Sequence, residues 1–263
     1  MKSTTLFSLL WAMVLFRAES GFAQADIAKI GGKINANSKP VYLKANELPM
    51  SLASHVRAHG NRFESPGKER LVVSGSLKRG GNTSSLQIIT DLPGKVRIVE
   101  SGGRGKTLVF DLEKVESSGA IDEIDEDLVE ALAIDSVEQF FLQFRSGGVW
   151  RPLGQRYQVK GDSGFGEEVD IYEVVLVSTG RRTKEVRTKL YMFDYRTGLL
   201  RRTADTVMRA GRPVRSETIY SEYSRIDGNA VPGKVQRIVD GVESFAFTRQ
   251  SGALSAISAE PTK

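Results

Sequence analysis

The sequence predicts a mainly β, α+β protein: a large curved antiparallel sheet or half-open barrel, with an N-terminal helix and central helices packed in or over its concave face. Three observations predict it. From Val169 to Thr248 the side chains alternate almost residue by residue and short turns interrupt them, the pattern of an unbroken train of β-hairpins. A second, shorter meander of the same kind runs from Arg70 to Leu112. Between the two, Asp122 to Arg145 changes to helical spacing.

Residues 1–25 read as an export signal outside the fold. Lys2 gives a positive start, Leu6 to Phe16 an apolar stretch too short to span a bilayer, and Ala23-Gln24-Ala25 a small-x-small cleavage pattern. A cut after Ala25 leaves 238 of the 263 residues and sends the protein to the periplasm. Residues 26–44, with Gly31-Gly32, Asn35, Asn37 and Pro40, read as a flexible lead-in with one short strand at Val41 to Leu43. A single domain is expected over residues 45–250. It opens with a helix from Glu47 to His59, because Leu48, Leu52 and Val56 recur at i+4 and Gly60-Asn61 ends the pattern. His55 and His59 share one face of that helix. Val56 stands where a zincin carries its glutamate, so they are read as partly exposed helix histidines and not as a metal pair.

Strands follow at Arg70–Lys78, Ser84–Thr90, Lys95–Glu100 and Lys106–Leu112, divided by Gly80-Gly81, Pro93-Gly94 and Gly102-Gly103. In the central segment, Asp122 with Asp125 and Asp135 with Glu138 form capping pairs for two short helices. The second helix places Val137, Phe140, Phe141 and Phe144 on one face before Gly147-Gly148 stops it. Strands resume at Arg156–Lys160 and Val169–Ser178. Along Glu185–Phe193, alternation puts Val186, Thr188, Leu190 and Met192 together. The last strands, Leu199–Met208, Pro213–Tyr223, Lys234–Asp240 and Val242–Thr248, are separated by Ala210-Gly211, Asp227-Gly228 and Asp240-Gly241. Residues 251–263 read as a small, polar, disordered tail.

Composition narrows the function. The chain has no cysteine, which excludes disulfides, thiolate metal sites and a lipidated N-terminal cysteine, so one large core must stabilise it. The net charge of +5 is mild, but Arg181, Arg182, Lys184, Arg187, Lys189, Arg196, Arg201, Arg202, Arg209, Arg212 and Arg215 crowd one stretch. Alternation makes this the solvated face of a sheet; peripheral contact with anionic headgroups or an acidic partner is the other reading. Neither a cofactor nor a nucleic-acid partner is expected. Gly161-Asp162-Ser163-Gly164 matches a serine-protease nucleophile segment for four residues only and reads as a loop. Ser101 to Thr107 lacks the first glycine of a phosphate loop, since Glu100 stands there. The phenylalanine stripe reads either as packed core or as the lining of an apolar cavity inside a curled sheet.

The order of elements resembles the LolA/LolB-type lipoprotein-carrier superfamily. Leu71-Val72-Val73-Ser74-Gly75-Ser76-Leu77 looks like its opening strand with a central glycine. Asp91 to Ile98 is similar to its proline turn and next strand, with Leu92 where carriers proper commonly have arginine. Gly105 to Asp111, Met192 to Leu200 and Tyr220 to Val235 resemble later hairpins. The resemblance implies a half-open barrel whose inside accommodates acyl chains. It implies a non-enzymatic carrier of lipid or lipoprotein, with Leu128, Leu132, Val137, Phe140, Phe141, Phe144, Leu190 and Met192 as the ligand-binding side chains. The alternative is an envelope protein–protein interaction module with a packed, ligand-free core.

Overall fold

Two-residue turns set the register of the sheet. Gly80-Gly81, Asp227-Gly228 and Asp240-Gly241 all have positive φ at both positions, which matches the right-handed twist of the strands they join. Arg79 therefore pairs with Asn82, Ile226 with Asn229 and Val239 with Val242.

The computed structural model describes residues 41–42, 50–60, 69–91, 95–102, 105–111, 114–145, 149–160, 166–179, 184–209 and 211–257. The expected export signal, nearly all of the lead-in and the Gly161–Gly164 segment with Ser163 lie outside these residues, as does the side chain of Phe144. In chain order the elements are β1 (Val41–Tyr42), α1 (Met50–His59), β2 (Glu69–Arg79), β3 (Asn82–Asp91), β4 (Lys95–Ser101), β5 (Thr107–Asp111) and β6 (Lys114–Ser117). There follow α2 (Glu123–Val129), a π-helical turn (Glu130–Ile134) and α3 (Val137–Arg145). The second half holds β7 (Val149–Lys160), β8 (Gly166–Thr179), β9 (Lys184–Asp194), β10 (Leu200–Arg209), β11 (Arg212–Ser221), β12 (Ser224–Ile226), β13 (Asn229–Val231), β14 (Lys234–Val239) and β15 (Val242–Ala256).

Thirteen strands form one antiparallel sheet in the order β1-β7-β8-β9-β10-β11-β14-β15-β2-β3-β4-β5-β6; β12 and β13 form a separate hairpin. Among the described residues the two end strands, β1 and β6, do not pair, so the curved sheet is open as a half barrel. The first meander ends at one edge and the second begins at the other. The segment from α2 to α3 carries the chain across the concave face between them. Leu128, Val129, Ala131, Leu132, Val137, Phe140 and Phe141 from this segment join Leu52 and Val56 of α1 in a single core with the inward strand residues.

The seam between the meanders corrects the sequence reading. Residues 251–256, expected as a disordered tail, continue β15 along β2, pairing Gly252 with Val73 and Leu254 with Leu71. Gly75 on β2 explains the offset. A Cβ there would be driven into the Thr248 carbonyl oxygen and come within 2.8 Å of the Phe247 ring, beside the register shift between Arg249 and Ser251. Replacing Gly75 by alanine should cost about 1–3 kcal/mol through this overpacking. A urea melt with no measurable shift would show that the strands part without strain.

Candidate functional site

Three layers of side chains meet on the concave face: an aromatic cluster, a buried ion network and an apolar cleft. The aromatic cluster forms because α3 and β9 each carry rings on the side facing the other. Phe140 lies 4.6 Å from Tyr191 and 4.9 Å from Phe193 between ring centroids, and Phe141 lies 5.4 Å from Phe140. His55 stacks on Phe193 at 4.5 Å.

Both histidines are buried, at 2% and 0% exposure, where the sequence suggested partial exposure. Each ring is held by main-chain groups of the β9–β10 turn. His59 Nδ1 donates to the His55 carbonyl at 2.8 Å, and its Nε2 accepts from the Leu200 N–H at 3.2 Å, which fixes the neutral tautomer. His55 Nδ1 lies 3.2 Å from the Gly198 carbonyl and Nε2 3.2 Å from the Tyr172 hydroxyl. The pair docks α1 onto the sheet.

The ion network begins with the π-helical turn. In an α-helix, residues five apart point about 140° away from each other; the wider turn, closed by Asp135 N–H donating to the Glu130 carbonyl at 2.7 Å, brings Glu130 and Asp135 to the same ammonium, Lys189 Nζ. Asp135 has no exposure and accepts four donors: Lys189, Thr203 Oγ1 at 2.8 Å, Thr218 Oγ1 at 2.6 Å and Arg237 Nη1 at 3.0 Å. Asp205 lies 3.5 Å from Lys189 Nζ. Asp127 binds Arg209 and accepts from Ser244 at 2.7 Å. Burial would push the Lys189 pKa down, but Asp135, Asp205 and Glu130 outweigh it and raise it well above that of an ordinary lysine. Arg237 is raised for the same reason, against its own burial, chiefly by Asp135.

Two readings of the sequence are corrected here. Asp135 does not cap α3; Ser136 does, its Oγ accepting from the Gln139 N–H at 3.3 Å, because the carboxylate is committed to the network. Asp122 with Asp125, in contrast, forms the expected capping box on α2. The basic stretch is not wholly a solvated face, since Lys189 is fully buried among the carboxylates.

The cleft lies beyond the network, towards the β12–β13 hairpin. It is partly open, encloses about 70 Å³ and is mostly apolar, with Thr90, Ser136 and Glu138 among its lining residues. Leu71, Val73 and Ile88 of β2 and β3 form its floor, with Val235 and Phe247 of β14 and β15. One wall is Ala131, Leu132, Ser136, Val137 and Glu138; the opposite wall is Tyr223, Ala230, Val231 and Pro232 of the hairpin.

Of the side chains proposed from sequence, Leu132 and Val137 line this cleft. Leu128, Phe140 and Phe141 are buried in the core beside it. Leu190 and Met192 point to the other face of the sheet and form a separate cluster with Leu153, Val169, Ile171 and Ala204. Strand alternation puts Lys189, Tyr191 and Phe193 on the concave side instead. The lysine made that row look like the solvated one. Sequence reasoning missed the hairpin wall and the network; the inward pairs Thr203 with Asp205 and Ser216 with Thr218, polar where the rows around them are apolar, were the available signal.

No protein-family model matches the chain, and no curated protein matches it. Three solved structures show a partial likeness to this chain. A LolA superfamily protein from Nitrosomonas europaea is 12% identical over 80% of this chain and 96% of its own, with a TM-score of 0.47. A DUF1329 family protein from Desulfovibrio piger is 14% identical over 77% and 91%, also at 0.47. A domain from Vibrio parahaemolyticus ascribed to outer-membrane lipoprotein sorting is 12% identical over 82% and 95%, again at 0.47.

Proposed function

We propose that this is an exported, non-enzymatic periplasmic protein that takes an acyl chain of a lipid or lipoprotein into the cleft between the sheet and residues 131–138. The observation that carries the proposal is the cleft itself: an apolar, partly open space on the concave face of an open sheet, with one fixed wall and one separate hairpin wall. Each methylene buried there contributes about 0.8 kcal/mol. At about 70 Å³ the cleft is several-fold smaller than the roughly 300–1,000 Å³ of small-molecule pockets, so it widens to admit a chain.

The wall that must give for a chain to enter is the hairpin, whose strand β13 is buried against the end of α1. Residues 130–135 are pinned by the buried ion network, whose disruption is costly. Among the described residues β12 and β13 pair only with each other, and the base of the hairpin is a crossing at which Glu222 has φ 56° and a Cβ on Gly233 would meet the Glu222 carbonyl oxygen at 2.5 Å. Tyr223 donates to the Leu200 carbonyl at 2.6 Å, and Ile226 packs against Gly252.

Filling the cleft tests the proposal. Val231→Phe should weaken binding of a lauroylated peptide at least about tenfold while lowering the thermal midpoint by about 2–12 °C, the cost of overpacking a buried position. Unchanged affinity in the folded variant would place any ligand elsewhere. A second reading, an envelope interaction module with a ligand-free core, draws on the complete packing of Phe140 and Phe141. Under that reading neither the native protein nor Val231→Phe takes up the peptide.

A further inference from the structure

The acyl-binding reading, on which this inference rests, accounts for the acyl chain and leaves open what that chain is attached to. β14 pairs with β15 only as far as Lys234 opposite Thr248, and one further bond, from the Arg249 N–H to the Gly233 carbonyl at 2.8 Å, closes that side. Before Lys234 the chain has turned away into the β12–β13 hairpin. β15 nevertheless continues, and from Ser251 to Ala256 it pairs, among the described residues, with β2 alone. Alternate residues of such a stretch turn their N–H and C=O groups away from the one partner they have. The stretch is exposed apart from the half-buried Leu254. The hairpin covers its concave side and not its edge: Ile226 lies where a Cβ on Gly252 would project, the side on which Leu254 packs against the core. An open edge is normally blunted by charge or proline. The end strand β6 carries Lys114 and Glu116 within its four residues, whereas Ser251-Gly252-Ala253-Leu254-Ser255-Ala256 has neither charge nor proline. This edge also adjoins the cleft. Gly252 pairs with Val73 and Leu254 with Leu71, and both of these β2 residues belong to the cleft floor, one strand spacing of about 4.8 Å away. A polypeptide whose acyl group sits over that floor has an unprotected strand edge within reach of its first residues; a free lipid has nothing to pair there.

We infer that the ligand of the cleft is an acylated polypeptide, whose residues next to the acyl group add to the sheet as a strand along Ser251–Ala256. The probes are dodecanol, a lauroylated peptide of alternating serine and valine, and two copies of that peptide N-methylated at its even or at its odd residues, titrated calorimetrically into the full chain. A strand presents even and odd N–H groups on opposite edges, so each copy blocks one edge and spares the other. The parent peptide should bind at least about tenfold more tightly than dodecanol; one methylated copy should fall to the dodecanol level and the other stay within about threefold of the parent. Hydrogen exchange of the backbone amides between Ser251 and Ala256 should slow with the parent peptide and not with dodecanol. Equal affinities for the two methylated copies, or a ligand-free dimer joined through this edge, would overturn the inference while dodecanol binding left the acyl-binding reading standing. Failure of every probe to bind would remove both.

Discussion

Asp135→Ala should destabilise the protein by about 3–5 kcal/mol, because it leaves Lys189 and Arg237 buried beside a lost counter-charge. That is a large part of the roughly 5–15 kcal/mol that holds a typical domain together. The carboxylate is also the acceptor for Thr203 and Thr218, so two buried hydroxyls lose their acceptor in the same substitution. Asp135→Asn keeps an acceptor for the hydroxyls and should recover part of the loss. Equilibrium unfolding in urea measures both; a cost under 1 kcal/mol for Asp135→Ala would mean that the network does not pin the helical wall. The pH dependence has a definite sign. Because the folded pKa of Lys189 is raised, its contribution is fully present below the unfolded lysine value of about 10.4 and is lost only as pH rises through the folded one.

Phe140→Ala should cost a similar amount, about 3–5 kcal/mol, for a different reason. The ring has no exposure and packs between Tyr191, Phe193, Phe141 and Tyr172, so its removal opens a cavity that rigid neighbours on β8 and β9 cannot close. The ring does not line the cleft, however. At a temperature where the variant is folded, its affinity for a lauroylated peptide should stay within about threefold of the native value. Together with Val231→Phe, this separates the side chains that hold the fold from those that hold a ligand.

How far the sequence disclosed this arrangement depended on whether the deciding interaction was local. The turns at Gly80-Gly81, Asp227-Gly228 and Asp240-Gly241 were legible because positive φ at two successive positions demands those residue types. The capping box at Asp122 was legible because both of its partners lie within one helical turn. The face of β9 was not. Lys189 alternates with Tyr191 and Phe193, and only carboxylates outside its own strand, Asp135, Glu130 and Asp205, make its burial tolerable. The extension of β15 was hidden for a related reason: Ser251, Gly252 and Ala253 have little strand preference of their own, and the partner that orders them, β2, lies far off in the chain. For the cleft, sequence periodicity placed Val137 on the apolar face of the second central helix, while Leu132 came in only with the family resemblance. Periodicity could not identify the hairpin wall, whose strands are three residues each and carry no clear period.

Native mass spectrometry of the full chain with a lauroylated peptide tests the central claim most directly. The account predicts a one-to-one adduct with the native protein that is strongly reduced in Val231→Phe and retained in folded Phe140→Ala. No adduct with the native protein, or an equal adduct in Val231→Phe, would contradict it.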